Sequence, residues 1–211
     1  MMLLQLSIVS ESAMDTRIKI LNAASELFLK GGGASLSVRA ISKRAGLSTI
    51  GIYSHFQGKQ GILDALYIEG FNLVREAIDV IPDGKASKDQ VLEACAGYLD
   101  VGEQYEAHYR LIFGESDIGY EPSKKAIAAR DEAFLKFVSV TGSYLPNAAT
   151  MIEHRKIALS IWAIVHGYVS ISHHMTFIDD INTDWKLMAL RVVEVQLDAI
   201  CAHQTSVSNI T

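Results

Sequence analysis

The segment from Leu36 to Lys59, LSVRAISKRAGLSTIGIYSHFQGK, leaves this chain few folds to choose from. It spells a short helix, a glycine turn, a second short helix and a basic residue opening a third. Ser37 stands just ahead of an apolar-periodic run, where its hydroxyl can accept from an orphan backbone N–H and start a helix. Val38, Ile41 and Ala45 then fall on one packing face, which leaves Arg39, Lys43 and Arg44 off it and free to meet phosphate. Gly46 can take the left-handed conformation that ends the helix, and Leu47 can plug the core at the turn. Ser48 repeats the cap for a second helix, Thr49 to about His55. In that helix Ile52 and Phe56 point inward, while Thr49, Ile50, Gly51 and Tyr53 face out. This is the layout of a helix-turn-helix DNA reader, whose second helix offers its first residues to base edges in the major groove. Lys59 falls near the N-terminus of the next helix, where its charge and the helix N–H groups both favour a phosphate. A plain helical hairpin in an all-α core would share the glycine turn; the order and spacing of AGLSTIGIYSHFQGK separate the two.

Those residues resemble the operator-binding segment of the TetR family of transcriptional regulators. The match rests on Ala45-Gly46, the small polar cap Ser48, then Tyr53-x-His55-Phe56, and Lys59 three residues after the Phe. It is close from Asp15 to Leu66 and loose beyond. The resemblance implies phosphate contacts from Tyr53, His55 and Lys59, and base reading by Ser48, Thr49 and Ile50. With Ser37, Arg39 and Gly51, these make up the expected DNA-facing set. The family often carries Lys-Gly-Thr ahead of its aliphatic-Tyr pair, where this chain has Thr49, Ile50 and Gly51. A helix-interior Gly costs about 1 kcal/mol relative to Ala, but a position without a side chain allows a close approach to the DNA backbone.

The overall charge of −5 suits a DNA binder only once it is divided along the chain. Residues 1–60 hold seven Lys/Arg against three Asp/Glu, whereas residues 61–211 hold twelve against 21. A basic head on an acidic body approaches DNA in one orientation. We therefore expect a DNA-binding domain over 14–60 and a ligand-binding and dimerisation domain over 61–211.

Hydrophobic residues make up 49% of the chain and there are only 3 Pro, so a well-filled helical core is feasible. The two cysteines, Cys95 and Cys201, form no CxxC pattern and suggest neither a disulfide framework nor a zinc site, which points to the reducing cytoplasm. The N-terminal MMLLQLSIVSESAMD has no basic residue ahead of its apolar run, unlike a signal peptide. No stretch approaches the ~18 apolar residues of a membrane span. Either Met14 is the functional start or residues 1–13 are an added arm.

The periodicity predicts an all-α chain of about nine helices. The first runs from about Asp15 to Lys30 on Ile20, Ala24, Leu27 and Phe28, and is ended by Gly31, Gly32 and Gly33. A fourth starts near Gly58, is apolar at Ile62, Leu66, Leu73 and Ala77, and ends in the turn-rich IPDGKAS. Further helices are expected from Ser87 to Gln104, Tyr105 to Gly114 and Ser123 to Val140, with ESDIGYEP and TGSYLPN as loops. The last two cover about 149–177 and 184–203. Both are apolar on two sides: Ile157, Ile161, Ile164, Tyr168 and Ile171 beside Trp162, Val165 and Val169 in one, and Met188, Val192, Val195 and Ala199 beside Leu190, Val193, Leu197 and Ile200 in the other. A helix apolar on two sides must be covered on two sides, by a monomer core or by a second subunit. DNA readers of this type act as two-fold dimers on palindromes, and the TetR resemblance implies a homodimer through these two helices.

Trp162-Ala-Ile-Val-His166-Gly167 and the run HYRLIFG resemble one subgroup of TetR-like ligand domains. The candidate ligand-binding residues are Tyr98, Tyr105, His108, Tyr109, Phe113, Phe134, Trp162 and His166, drawn from the fifth to eighth helices. Pockets are mostly apolar with a few placed polar groups, so the set suits an apolar or aromatic effector. A core role would account for the same residues. No metal-ligand set, phosphate-binding Gly loop, nucleophile elbow or HExxH is present, so neither a cofactor nor an enzyme is expected. The expected function is a repressor released from a palindromic operator by a small molecule. The alternative is an all-α dimeric binding protein without sequence-specific DNA binding.

Overall fold

In the computed structural model, residues 2–79, 86–113, 119–145, 150–174 and 184–208 are described, with side chains from Met14 to Ala202. Among them are α1 (Met2–Gly31), a 3-10 turn (Gly32–Ser35), α2 (Val38–Ala45), α3 (Thr49–Phe56), α4 (Lys59–Ala77), α5 (Lys88–Gln104), α6 (Glu106–Ile112), α7 (Lys124–Tyr144), α8 (Met151–His174) and a final helix, α9 (Trp185–Ser208). The described residues contain no strand, and the fold is all-α. They form two compact units, one of residues 1–70 and 107–128, the other of 71–106 and 129–211.

The first unit is a three-helix head extended by α6 and the turns beside it. Ile20, Ala24 and Phe28 of α1 meet Ile41 of α2, Ile52 and Phe56 of α3, and Ile62 and Leu66 of α4 in one core, which Ala107 and Leu111 of α6 join. The expected inward faces of α1 and α3 are thus the packed ones. Helix α1 begins at Met2 rather than near Asp15, so the chain ahead of Asp15 continues the same helix.

Helix α4 changes its buried face along its length. Ile62, Leu63, Leu66 and Tyr67 are buried in the first half, and Phe71, Val74 and Ile78 at its end. The expected stripe of Leu73 and Ala77 is only half-buried. One helix serves two cores, so a single 3.6-residue periodicity does not describe it.

In the second unit, Val91, Cys95 and Leu99 of α5, Phe137 of α7, Ile161, Val165 and Val169 of α8, and Val193 and Leu197 of α9 are buried. Helix α5 opens with a capping box, in which the Ser87 hydroxyl accepts from the Gln90 N–H and the Gln90 side chain accepts from the Ser87 N–H. Helix α8 opens in the same way through Thr150 and Glu153, and the Thr150 N–H and hydroxyl, both donating to the Glu153 carboxyl, hold it below its ordinary range. Gly102 lets α5 and α8 touch, since a Cβ there would stand 2.4 Å from Val169 Cγ1. Lys88 at the start of α5 reaches Glu194 and Asp198 midway along α9, at 3.1 and 3.2 Å. Lys186 at the start of α9 reaches Asp100 and Glu103 late in α5, at 2.8 and 2.7 Å. The two helices therefore run antiparallel.

Helix α7 continues through Tyr144, so Thr141–Tyr144 are helical rather than part of the expected TGSYLPN loop. The buried Thr141 hydroxyl donates to the Phe137 carbonyl at 2.9 Å, which satisfies it inside the helix. Residues 81–85 of IPDGKAS, 115–118 of ESDIGYEP, 146 and 147 of TGSYLPN, and the expected helical residues 175–177 lie outside the described residues.

Candidate nucleic-acid interface

Two serines and one glycine set the angle between α2 and α3. Ser37 Oγ accepts from the Ala40 N–H and Ser48 Oγ from the Gly51 N–H, each at 3.1 Å. Gly46 takes φ +69°, and the Leu47 N–H donates back to the Ser42 carbonyl at 2.9 Å. Both serines are exposed, but each commits its acceptor oxygen to its own helix.

With Ile52 and Phe56 buried, the opposite edge of α3 faces solvent. Ile50 is 79% exposed and Tyr53 56%, and Thr49 is exposed beside them. Arg39 and Lys43 are exposed on α2. Arg44 is not free as expected, because it pairs with Glu26 of α1. His55 is half-buried at the end of α3, and Lys59 is the first residue of α4.

Gln57 and Gly58 within the segment, and Gly61 and Arg17 outside it, fix the far end of α3. Gln57 takes φ +58°, and its N–H caps the Tyr53 carbonyl at 3.1 Å. Gly58 follows with φ +111°, beneath the Tyr53 ring, where a Cβ would stand 3.1 Å from Cε1. Gly61 seats α4 against the Phe56 carbonyl. Arg17 of α1 donates to the His55 carbonyl at 2.8 Å and lies 4.2 Å from the Phe56 ring centroid. The two glycines of QGKQG were a sequence signal for this crossing; Arg17 had none. Helix α4 is in turn tied to the residues ahead of α7. Asp64 Oδ1 accepts from the Tyr120 hydroxyl at 2.7 Å and from the Ser123 N–H at 3.0 Å. Burial, with the Asp64 hydrogen bond, pushes the Tyr120 phenol well above its ordinary range.

The expected ligand-binding residues divide between the units. Tyr98, Phe134, Trp162 and His166 meet in the second. Trp162 Nε1 donates to the Tyr98 hydroxyl at 2.8 Å, and that hydroxyl lies 3.4 Å from His166 Nδ1. The Trp162 ring stacks on Phe134 at 5.1 Å between centroids and meets Phe137 edge-on at 6.1 Å. The Trp-x-x-x-His spacing puts both side chains on one face of α8, where they share one buried tyrosine hydroxyl. Among the described residues, a Cβ on Gly167 would meet nothing within 4 Å. Tyr105, at the end of α5, caps that helix by donating its N–H to Val101. His108, Tyr109 and Phe113 belong to the first unit. There His108 lies 3.4 Å from Glu69, and Tyr109, fully buried, packs on Phe113 at 4.7 Å.

Among the described residues no group of three or more His, Cys, Asp or Glu could hold a metal ion, and no helix is long and apolar enough to cross a membrane. His166 and His173, both on α8, are instead engaged by Tyr98 and by the Gly102 carbonyl, the latter at 2.9 Å from His173 Nε2.

A capped helix-turn-helix with a basic N-terminal portion, followed by a helical body, defines the class of helix-turn-helix DNA-binding regulators. Residues 20–66 match the family described as bacterial regulatory proteins, tetR family, and residues 91–195 match the tetracyclin repressor-like C-terminal domain. The HTH-type transcriptional activator FasR of Mycolicibacterium smegmatis is 31% identical over 156 residues, which cover 70% of this chain and 69% of FasR. The chain belongs to the TetR family of transcriptional regulators. The solved TetR-family regulator PfmR of Thermus thermophilus has the same fold, with a TM-score of 0.66 at 16% identity over 85% of this chain and 97% of PfmR. So does the SmeT–triclosan complex, with a TM-score of 0.59 at 18% identity over 88% of this chain and 91% of SmeT.

Proposed function

We propose that the chain is a homodimeric, ligand-responsive repressor that reads a palindromic operator through two copies of α3 and works in the cytoplasm. The observation that carries this reading is the solvent-facing edge of α3, where Thr49, Ile50 and Tyr53 stand exposed on a helix fixed at both ends. Ser48, Thr49, Ile50 and Gly51 would meet base edges. Tyr53, His55 and Lys59, with Ser37 and Arg39, would meet phosphates. A dimer through α8 and α9 is supported by Ile152, Leu159, Ile171, Leu187, Met188, Val192 and Val195, which the single chain leaves exposed.

The effector is a small apolar or aromatic molecule. The Tyr98–Trp162–Phe134 cluster, with His166 as its polar group, supports that class, and Tyr105, His108, Tyr109 and Phe113 complete the candidate set. SmeT, a neighbour in fold, is seen with triclosan, a molecule of this kind. Ligand and DNA would each favour one of two head spacings. Moving such an equilibrium from 1:99 to 99:1 takes about 5.5 kcal/mol of differential affinity.

Selection from a random duplex pool with the purified protein tests the reading. A palindromic consensus, released on adding the effector, is the expected result. A consensus whose downstream transcription rises with the protein would make it an activator, as FasR is named. Retention of duplexes without enrichment would favour a dimeric small-molecule-binding protein that does not read DNA sequence.

A further inference from the structure

Arg17 sits on α1, outside the Leu36–Lys59 reader segment, yet it makes two contacts with the end of α3. One donor of its guanidinium reaches the His55 carbonyl, and its Cζ lies over the Phe56 ring, 4.2 Å from the centroid. The last turn of a helix has carbonyls without helical partners and carries the negative end of the helix dipole. A guanidinium suits that position because it is always charged, donates in a fixed fork and stacks on aromatic rings. Helix α3 has only eight residues, too few to hold its own geometry. Its start is held by Ser48 and its end by the Gln57 cap and the buried Phe56, and Arg17 adds to that end a contact from another helix. A hydrogen bond to the backbone and a cation over the ring together restrict both the tilt of the helix and its rotation about its axis.

We propose that Arg17 is a positioning residue for DNA recognition: it fixes the C-terminal end of α3, and so the aim of Ile50 and Tyr53, without itself contacting DNA. The inference rests on α3 being the base reader. A lysine could supply charge and one donor but no planar face, and a glutamine a donor without charge.

The test compares Arg17→Gln and Arg17→Lys with the unmodified protein on two probes, the duplex it selects and a scrambled duplex, across a salt series. Arg17→Gln is expected to weaken binding to the selected duplex about tenfold, to leave the scrambled duplex within about twofold, and to keep the same salt slope, because no phosphate contact is lost. Arg17→Lys should fall between. A uniform loss on both duplexes, with the slope reduced by about one, would make Arg17 a phosphate ligand and overturn the proposal. Unchanged binding would overturn it too. Amide hydrogen exchange of the DNA-free variants supplies the second readout, with faster exchange from Tyr53 to Gln57 expected and the rest of the head unchanged. Exchange that is unchanged there, or raised throughout the head, counts against positioning. Should the unmodified protein select no duplex, the reading of α3 fails on its own, and exchange still decides whether Arg17 holds that helix.

Discussion

Gly61 lies so close to Phe56 that a Cβ on it would stand 1.7 Å from the Phe56 carbonyl oxygen. The start of α4 is thereby pressed onto the end of α3, and no side chain fits between them. Gly61→Ala forces backbone apart, a change that costs on the order of 1–3 kcal/mol in a packed site. We expect a lower melting temperature and the loss of selected-duplex binding, read by thermal denaturation and fluorescence anisotropy. A variant with unaltered melting and binding would show that this contact does not set the α3–α4 angle.

Charge and base contacts separate by their salt dependence. Lys59→Ala and Arg39→Ala should each weaken binding to every duplex alike and lower the salt slope by about one. Ile50→Ala should leave the slope unchanged and relax the consensus at one position, since an apolar contact to a thymine methyl releases no counterion. Parallel selections and salt titrations of the three variants check this. An altered slope for Ile50→Ala would contradict the assignment.

Local chemistry was legible in the sequence where one residue fixes one backbone feature. Ser37, Gly46 and Ser48 act within a few residues of themselves, and the structure uses each as its type suggests. Contacts made across the fold left no such trace. Arg17 meets His55 38 positions away, and nothing in a helical arginine announces a partner at that distance. Arg44 looked free from its own helix, but Glu26 answers it from another. Thr141 and Gly142 read as loop formers because their intrinsic helix propensity is weak. Tertiary packing overrides it: Thr141 is buried and bonded to Phe137, and Gly142 lies beside His154. The Trp162–His166 pair was visible as a spacing, but the tyrosine that explains it comes from another helix.

The same polar chain gives a stability prediction. Tyr98→Phe removes the hydroxyl that accepts from Trp162 Nε1 and faces His166 Nδ1. Leaving these half-buried polar groups without that partner costs about 1 kcal/mol. Chemical denaturation should show a lower midpoint for Tyr98→Phe. An unchanged midpoint would mean that water replaces the hydroxyl at no cost, as an open ligand site would allow.

The two cysteines should behave differently towards a thiol reagent. Cys95 is buried, and burial pushes its thiol up from 9.0 to about 12, so little thiolate forms near neutral pH. Cys201 is partly exposed on α9. We expect native protein to titrate one thiol and denatured protein two. Because folding raises the Cys95 pKa, its contribution to stability is present below about pH 9 and is lost as pH rises from there to about 12. Cys95→Ala should show less loss of stability across that window, measured by denaturant titration at stepped pH. Equal reactivity of both thiols in the native protein would mean that Cys95 is not sealed.

The proposed dimer contact predicts what a charge does on the face of α9 that the single chain leaves open. Ala189, Val193 and Leu197 fill the core, while Met188, Val192 and Val195 point away from it, Val195 with 68% of its surface exposed. Those three repeat at helical spacing, and on α8 Leu159 and Ile171 are exposed as well, with Gly167 between them open enough for another backbone to approach. A two-fold contact places each altered residue twice in one interface. Val195→Asp would then desolvate two unpaired carboxylates, several kcal/mol in all, and should raise the dimer dissociation constant by about a hundredfold or more. Lys88→Ala serves as the control on the same pair of helices, because Lys88 pairs with Glu194 and Asp198 inside one chain and should leave the assembly intact. Sedimentation equilibrium distinguishes the two variants, and circular dichroism verifies that both stay folded. A dimer that tolerates Val195→Asp would place the two-fold contact away from this face of α9.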